Sequence, residues 1–201
     1  MPCGEFARAL AAKTSVPGGG GASALVAALG AALGSMVGNF TLGKAKYADV
    51  EGDIRALMDE AEELRERLLA CIDQDAAAFE PLSRAYGIPK DTPGRDETLE
   101  RCLHDAAAVP MEILRLSCRA IELQRDFAEK GSAMMVSDAG TGVAFCQAAL
   151  YGAALNVKVN TRLMKDRDFA QAMDAEAEGL TDKYGKIAQA VYADVYGRLS
   201  Q

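Results

Sequence analysis

The chain has 201 residues, half of them hydrophobic, with a formal net charge of −7. That length holds one domain with a substantial core, so residues 1–201 are read as a single unit with no room for a second. The charge balance and the scattered basic residues exclude a nucleic-acid footprint, and five cysteines without a CxxC pair are read as reduced thiols rather than a disulfide framework.

In chain order, Phe6, Leu10 and the alanines around them predict a short helix ending near Lys13. Glu5 interrupts the N-terminus before any apolar stretch long enough for a signal peptide, so a cytoplasmic protein is expected. Gly18, Gly19, Gly20 and Gly21 follow Pro17. Having no Cβ, they let backbone amides approach a bound group closely, which predicts a ligand-binding loop. Ser23 is placed as the cap of the next helix, along which Leu25, Leu29, Leu33, Val37 and Phe40 recur at helical steps. Gly30, Gly34 and Gly38, four apart, leave a groove in which a neighbouring helix can lie unusually close. The stretch GNFTLGKA from Gly38 follows phosphate-loop spacing, but Ala45 replaces the metal-binding hydroxyl and no strand precedes it, so nucleotide binding is not expected. The apolar run from Ala22 to Val37 is shorter than the ~20 residues of a bilayer span, and no membrane insertion is expected. Lys44 and Lys46 then stand at a helix end, either as solvated charges or as partners for a substrate's carboxylates.

From about Asp53 to Leu82 the apolar positions keep helical period, predicting one long helix. Asp73 and Asp75 sit near its end, and two residues apart on a helix they cannot share a face, so at most one addresses a given cavity. Tyr86 to Asp96 reads as a loop, with a helix start at Thr92 and Pro93. The helical pattern after it meets Pro110, where a kink or a break is expected, and continues to about Glu129. His104, the only histidine, has no metal-ligand neighbours and reads as a surface or packing residue. Ser137 or Asp138 is expected to cap the next helix, which runs to about Arg162. On it Asn156 and Asn160 share one face of an otherwise apolar segment and need hydrogen-bond partners, from another helix or from a ligand. A long amphipathic helix from Phe169 to Val195 closes the chain. No alternating strand pattern occurs, so the fold class is all-α, an antiparallel bundle of long helices. One copy presents more apolar helix surface than a thin bundle covers, which predicts a homodimer.

The stretch VPGGGGASALVAALGAALGSMVGNFTLGKAKY from Val16 resembles the opening motif of the cyclodeaminase/cyclohydrolase family. DQDAAAF from Asp73, GIPKDTP from Gly87, VP at Val109, SDAG from Ser137 and YGAALNVKVN from Tyr151 agree in order. Each motif is weak alone, and their shared order across nearly the whole chain carries the resemblance. Ser132 stands where the family often has Asn. The resemblance implies an all-α homodimer acting on reduced folates, without a metal or cofactor. Its reaction is closure of 5-formiminotetrahydrofolate to 5,10-methenyltetrahydrofolate with release of ammonia, or hydrolysis of the methenyl compound to 10-formyltetrahydrofolate. It further implies Asp75 as acid/base, Asp73 as its reserve, Asp138 as a second polar group, and Gly18–Gly21 as the loop that admits the pterin. Ser23, Ser137, Asn156 and Asn160 fall in the same motifs as substrate-binding candidates, and Lys44 and Lys46 would meet the glutamate tail of a folate, polyglutamylated or not. The contrasting class is a helical dimer that binds folate without turning it over.

Overall fold

The computed structural model describes residues 1–200 and, among them, contains helices and no strand. The helices are α1 (Cys3–Leu10), α2 (Gly19–Asn39), α3 (Glu51–Ala85), α4 (Arg95–Lys130), α5 (Val136–Thr161) and α6 (Arg167–Leu199), with short 3-10 turns at Ala45–Val50 and Ala133–Met135. Among the packed pairs, α2 with α5 and α3 with α4 run in opposite directions, whereas α4 and α6 run in the same direction, with Arg115, Glu122 and Ala128 meeting Glu176, Tyr184 and Arg198 in turn. Gly19 of α2 lies against Asn156 of α5 while Gly30 lies against Gly142, and Asp53, Glu60 and Arg67 of α3 pair in turn with Lys130, Arg119 and Glu112 of α4.

α4 supplies the largest share of the core, with Met111, Ile113, Leu114, Ile121, Leu123 and Phe127 fully buried. α2 reaches that core without bulky side chains. A Cβ on Gly30 would lie 2.5 Å from Cys146 Sγ of α5, one on Gly34 would lie 2.7 Å from the Phe127 ring and 2.8 Å from Gln124 Nε2 of α4, and one on Gly38 would lie 2.5 Å from Met58 of α3. The groove foreseen at these positions is therefore filled by three helices of the same chain. That face of α2 is therefore closed to a second copy. The groove also exposes backbone to side chains, and Gln124 Nε2 donates to Gly30 O at 2.6 Å. Although α2 is apolar enough by length and hydropathy to cross a membrane, 56% of its most apolar window is buried among these helices, the position of a core helix.

Several expected boundaries move, each for a local reason. The four glycines do not form a loop. Gly18 is the N-cap and Gly19–Gly21 are the first turn of α2, with Ala22 N bonding Gly18 O at 3.0 Å. Ser23 is consequently one turn inside the helix, its hydroxyl donating to Gly19 O at 2.7 Å rather than capping. α1 stops at Leu10 and buries no residue. α4 begins at Arg95, after Gly94 takes a left-handed φ of 77°, not at Thr92. α5 starts with Met135 as a cap that makes no side-chain bond, and Ser137 and Asp138 lie within its first turn. Their acceptors still favour the positive helix end without capping it.

Pro110 neither divides nor ends α4. Proline cannot donate to the carbonyl four residues earlier, so Ala106 O needs another partner. Asn160 Nδ2 of α5 supplies it at 3.1 Å. Four of the five cysteines are buried. Burial pushes the Cys118 and Cys146 thiols up to about 12, which keeps them protonated and unreactive at neutral pH.

Because Gly34 faces the Phe127 ring and the Gln124 amide, Gly34→Leu is expected to destabilise the protein by about 1–3 kcal/mol through overpacking. Denaturant unfolding measures this, and unchanged stability would mean that the groove is loosely packed.

Candidate active site

The first turn of α2, the end of α3, the Pro110 region of α4 and the end of α5 converge on one hollow of about 140 Å3. Gly18, Gly19 and Gly20 form one wall, Phe79 and Pro110 supply apolar surface, and Asp75, Asn156 and Asn160 supply the polar groups.

Asp75 is fixed by a single contact that glycine permits. Its Oδ2 accepts a hydrogen bond from Gly21 N at 2.9 Å, and a Cβ on Gly20 would overlap the carboxylate. Two effects act on its pKa in opposite senses. Burial among α2 and α3 raises it, and the Gly21 N–H lowers it, with a net rise above the ordinary aspartate value. The positive end of α2 keeps the ionised form accessible.

The two asparagines are held by the same helices. Asn156 Nδ2 donates to Gly152 O at 2.8 Å, and Asn160 Nδ2 donates both to Asn156 O at 2.9 Å and to the freed Ala106 carbonyl. Both amide hydrogens of Asn160 and one of those of Asn156 are thus committed to backbone, and no protein donor serves either Oδ1 among the hydrogen bonds described. The hollow presents one carboxylate of raised pKa and two amide oxygens, a set that takes a proton and accepts from the N–H groups of a flat heterocycle.

Not all of the residues singled out in the sequence arrive here. Gly18, Gly19, Gly20, Asp75, Asn156 and Asn160 line the hollow, and Gly21 meets it through its N–H. Asp73 is exposed and lines a different hollow with Phe6, Val16, Leu25 and Ile72, as the 200° between the two aspartates requires. Ser23 is buried at the crossing with Gly152 and does not line the hollow. Ser137 and Asp138 are 18 or more residues from Asn156 on the same helix, a separation of roughly 27 Å. Lys44 and Lys46 lie at that same far end, where Lys44 Nζ bonds Ser132 Oγ at 3.4 Å and Lys46 Nζ sits 5.5 Å from the Tyr47 ring centre. Within one chain they form a second cluster, apart from Asp75. Ser15, Val16, Phe79, Ala106, Pro110 and Val159 complete the lining, and the sequence marked none of them as a substrate contact.

A larger hollow of about 500 Å3 between α5 and α6 offers no comparable chemistry. Its carboxylates are already paired, Asp174 with Lys158 at 2.8 Å and the Thr161 hydroxyl at 2.6 Å, Glu178 with Lys158 at 3.6 Å, and Asp182 with Lys186 at 2.7 Å.

An all-helical protein whose desolvated carboxylate is set against a glycine-walled hollow is the class that fold and site define. Residues 2–179 match the formiminotransferase-cyclodeaminase family model, and the chain belongs to that family. It is 39% identical over 199 residues to a methenyltetrahydrofolate cyclohydrolase of Methylorubrum extorquens, covering 97% of this chain and 96% of that one. It is 32% identical over 170 residues to the formimidoyltransferase-cyclodeaminase of Rattus norvegicus, 83% of this chain but only 31% of that longer protein. The crystal structure of a formiminotetrahydrofolate cyclodeaminase from Thermotoga maritima superposes with a TM-score of 0.84 at 28% identity, covering 98% of each chain.

Gly20→Ala is expected to displace the Asp75 carboxylate and lower kcat/KM by more than about tenfold, in a protein that still folds. Steady-state kinetics with circular dichroism as the folding control tests this. Full activity would show that the close approach is dispensable. A stability measurement probes the same carboxyl group. A folded-state pKa raised above the unfolded value means that the native state binds more protons, so ionised Asp75 opposes folding above that pKa. Asp75→Asn, which keeps an acceptor for Gly21 N–H, should be at least as stable as the parent at pH 8. That advantage should vanish as pH falls below the ordinary aspartate range.

Proposed function

We propose that the protein works on the carbon bridging N5 and N10 of tetrahydrofolate, closing 5-formiminotetrahydrofolate to 5,10-methenyltetrahydrofolate with loss of ammonia, and that Asp75 carries its proton transfers. The single observation behind this reading is the Asp75 carboxylate, raised in pKa by burial yet hydrogen-bonded to Gly21 N–H in the glycine-walled hollow. N10 attacks the carbon of the formimino group, which at neutral pH is the protonated amidinium –CH=NH2+, and gives up its own proton to Asp75, leaving a tetrahedral carbon that carries –NH2. The C–N bond to the imino nitrogen then breaks as Asp75 returns that proton to the departing ammonia. The product ring is a cation, and the ionised carboxylate beside it stabilises the developing positive charge. Gly18–Gly20 admit the flat pterin edge-on, and the free amide oxygens of Asn156 and Asn160 accept from its N–H groups.

A second reading is favoured by the 39% identity, over nearly the full length of both chains, to a methenyltetrahydrofolate cyclohydrolase. There water attacks the same cationic carbon and gives one proton to Asp75; the C–N5 bond then breaks as Asp75 passes that proton to N5, the remaining hydroxyl proton leaves to solvent, and 10-formyltetrahydrofolate forms. Both reactions pass through one carbon, one ring and one base, so the hollow serves either. The helical bundle works, in this proposal, as a cytoplasmic homodimer.

Purified protein given 5-formimino- and 5,10-methenyltetrahydrofolate side by side decides between the reactions through the absorbance of the methenyl chromophore. Appearance of the chromophore with ammonia supports ring closure, and its loss in the second assay alone supports hydrolysis. A change that saturates at one equivalent of protein leaves only binding. In whichever reaction proceeds, Asp75→Asn should lower turnover by roughly 10²-fold or more while folate affinity changes far less. Asp73→Asn, in its separate hollow, should stay within a few-fold of the parent.

A further inference from the structure

At about 140 Å3 the hollow is well below the roughly 300–1,000 Å3 of small-molecule sites, so most of a larger substrate lies outside it. Helix direction sets the way out. α2 runs opposite to both α3 and α5, because Gly20 and Gly38 meet Asp75 and Met58 while Gly19 and Gly30 meet Asn156 and Gly142. α3 and α5 therefore point the same way, and both continue beyond the start of α2, with Leu82 of α3, Ala106 of α4 and Met164 after α5 buried in one cluster beneath them. Ser15, which lines the hollow, is tied to the Ser83 hydroxyl of α3 at 3.2 Å and bounds the opening on the α2 side.

Asp75, Phe79 and Tyr86 lie on one stripe of α3. Phe79 is turned by about 40° and Tyr86 by about 20° from Asp75, and Tyr86 stands about 16 Å further along the axis. On α5, Val159 of the rim is followed one turn later by Arg162 and Leu163. Tyr86, Val159 and Leu163 are 46%, 44% and 47% exposed, an apolar border continuous with the hollow through Phe79 and Val159. Within it stands a free cation. Lys158, Lys165 and Arg167 are held by Asp174, by Asp96 and by the Thr161 and Met164 carbonyls, whereas among the described residues no carboxylate or side-chain hydrogen bond engages the Arg162 guanidinium. Its charge is felt at Tyr86, where burial pushes the phenol up and Arg162 pulls it back.

We propose that the cleft between the ends of α3 and α5 is the subsite for the p-aminobenzoylglutamate half of the substrate, its ring lying between Phe79 and Val159 and its first glutamate carboxylate paired with Arg162. The lengths agree. Arg162 is six residues beyond Asn156, a rise of about 9 Å along α5, and the bonds from N10 across the ring and the amide to that carboxylate span roughly 10 Å. A planar guanidinium offers a carboxylate two parallel donors, and the apolar surface of Tyr86 and Leu163 on either side strengthens the pair by excluding water. The same cation also suits the negative end of α5, a structural role that predicts no preference for a glutamate. The assignment rests on the folate reading above, in which the pterin and its N5–N10 carbon occupy the hollow and the cleft takes what remains.

The test compares the folate that turns over with its pteroate form, identical except for the missing glutamate. Wild-type protein should favour the glutamyl substrate by about tenfold in kcat/KM, mainly through KM, and Arg162→Ala should reduce that preference to less than about twofold. Arg162 is exposed, so the variant should fold, with circular dichroism as the control. A preference that is absent from the wild type, or that Arg162→Ala leaves intact, overturns the subsite. Wild-type protein that converts neither 5-formimino- nor 5,10-methenyltetrahydrofolate retires the proposed reaction, and calorimetric binding of tetrahydrofolate and tetrahydropteroate then decides the subsite alone. The same tenfold difference in affinity, lost in Arg162→Ala, would support it. Equal affinity of the wild-type protein for the two compounds would overturn it.

Discussion

The structure depends on a helix that its neighbours approach as bare backbone. Residue 20 of α2 has no side chain, and into that space the Asp75 carboxylate of α3 inserts until it reaches Gly21 N–H. Further along, Gly30, Gly34 and Gly38 admit Cys146, Phe127 and Met58 in the same manner. Each glycine weakens a helix by about 1 kcal/mol relative to Ala, a loss offset here by the close contact of α2 with α3, α4 and α5. A larger residue at any of these positions would push α2 outward, and the amide held against Asp75 would go with it. Packing and chemistry are therefore the same constraint seen at two ends of one helix.

The polar half of the hollow follows from a second backbone effect. Pro110 removes one donor from α4, and the orphaned Ala106 carbonyl draws the Asn160 amide across from α5. That bond, with the one from Asn160 to Asn156 O, commits both Asn160 hydrogens, Asn156 is held by its own bond to Gly152 O, and both side-chain oxygens are left available. The proline that should break α4 instead recruits a neighbour that orients the site.

Helix number, order and approximate length were legible because apolar residues recur at helical spacing in every long segment, and the opposite facing of Asp73 and Asp75 followed from helix geometry alone. The glycine groove was legible as a place of close approach, but its occupant was not, since glycine records that something comes near without recording what. The four-glycine run was read as a loop because glycine favours turns. Helix α2 nevertheless extends into it, since packing against Asp75 and Asn156 outweighs propensity at positions where any Cβ would collide. Asp138, Lys44 and Lys46 were grouped with Asp75 because motif order carries no distance, and a helix of 21 residues separates the two groups by about 30 Å.

The central claim is that Asp75, with its pKa raised by burial, is the group that moves the proton. The pH dependence of kcat/KM, measured on the wild-type protein and on Asp75→Asn with the folate that turns over, tests it most directly. The account predicts an acid limb in the wild type at a pH above the ordinary aspartate value, and a residual rate in Asp75→Asn from which that limb is gone. An acid limb that persists unchanged in Asp75→Asn would assign the proton transfer to another group and contradict the account.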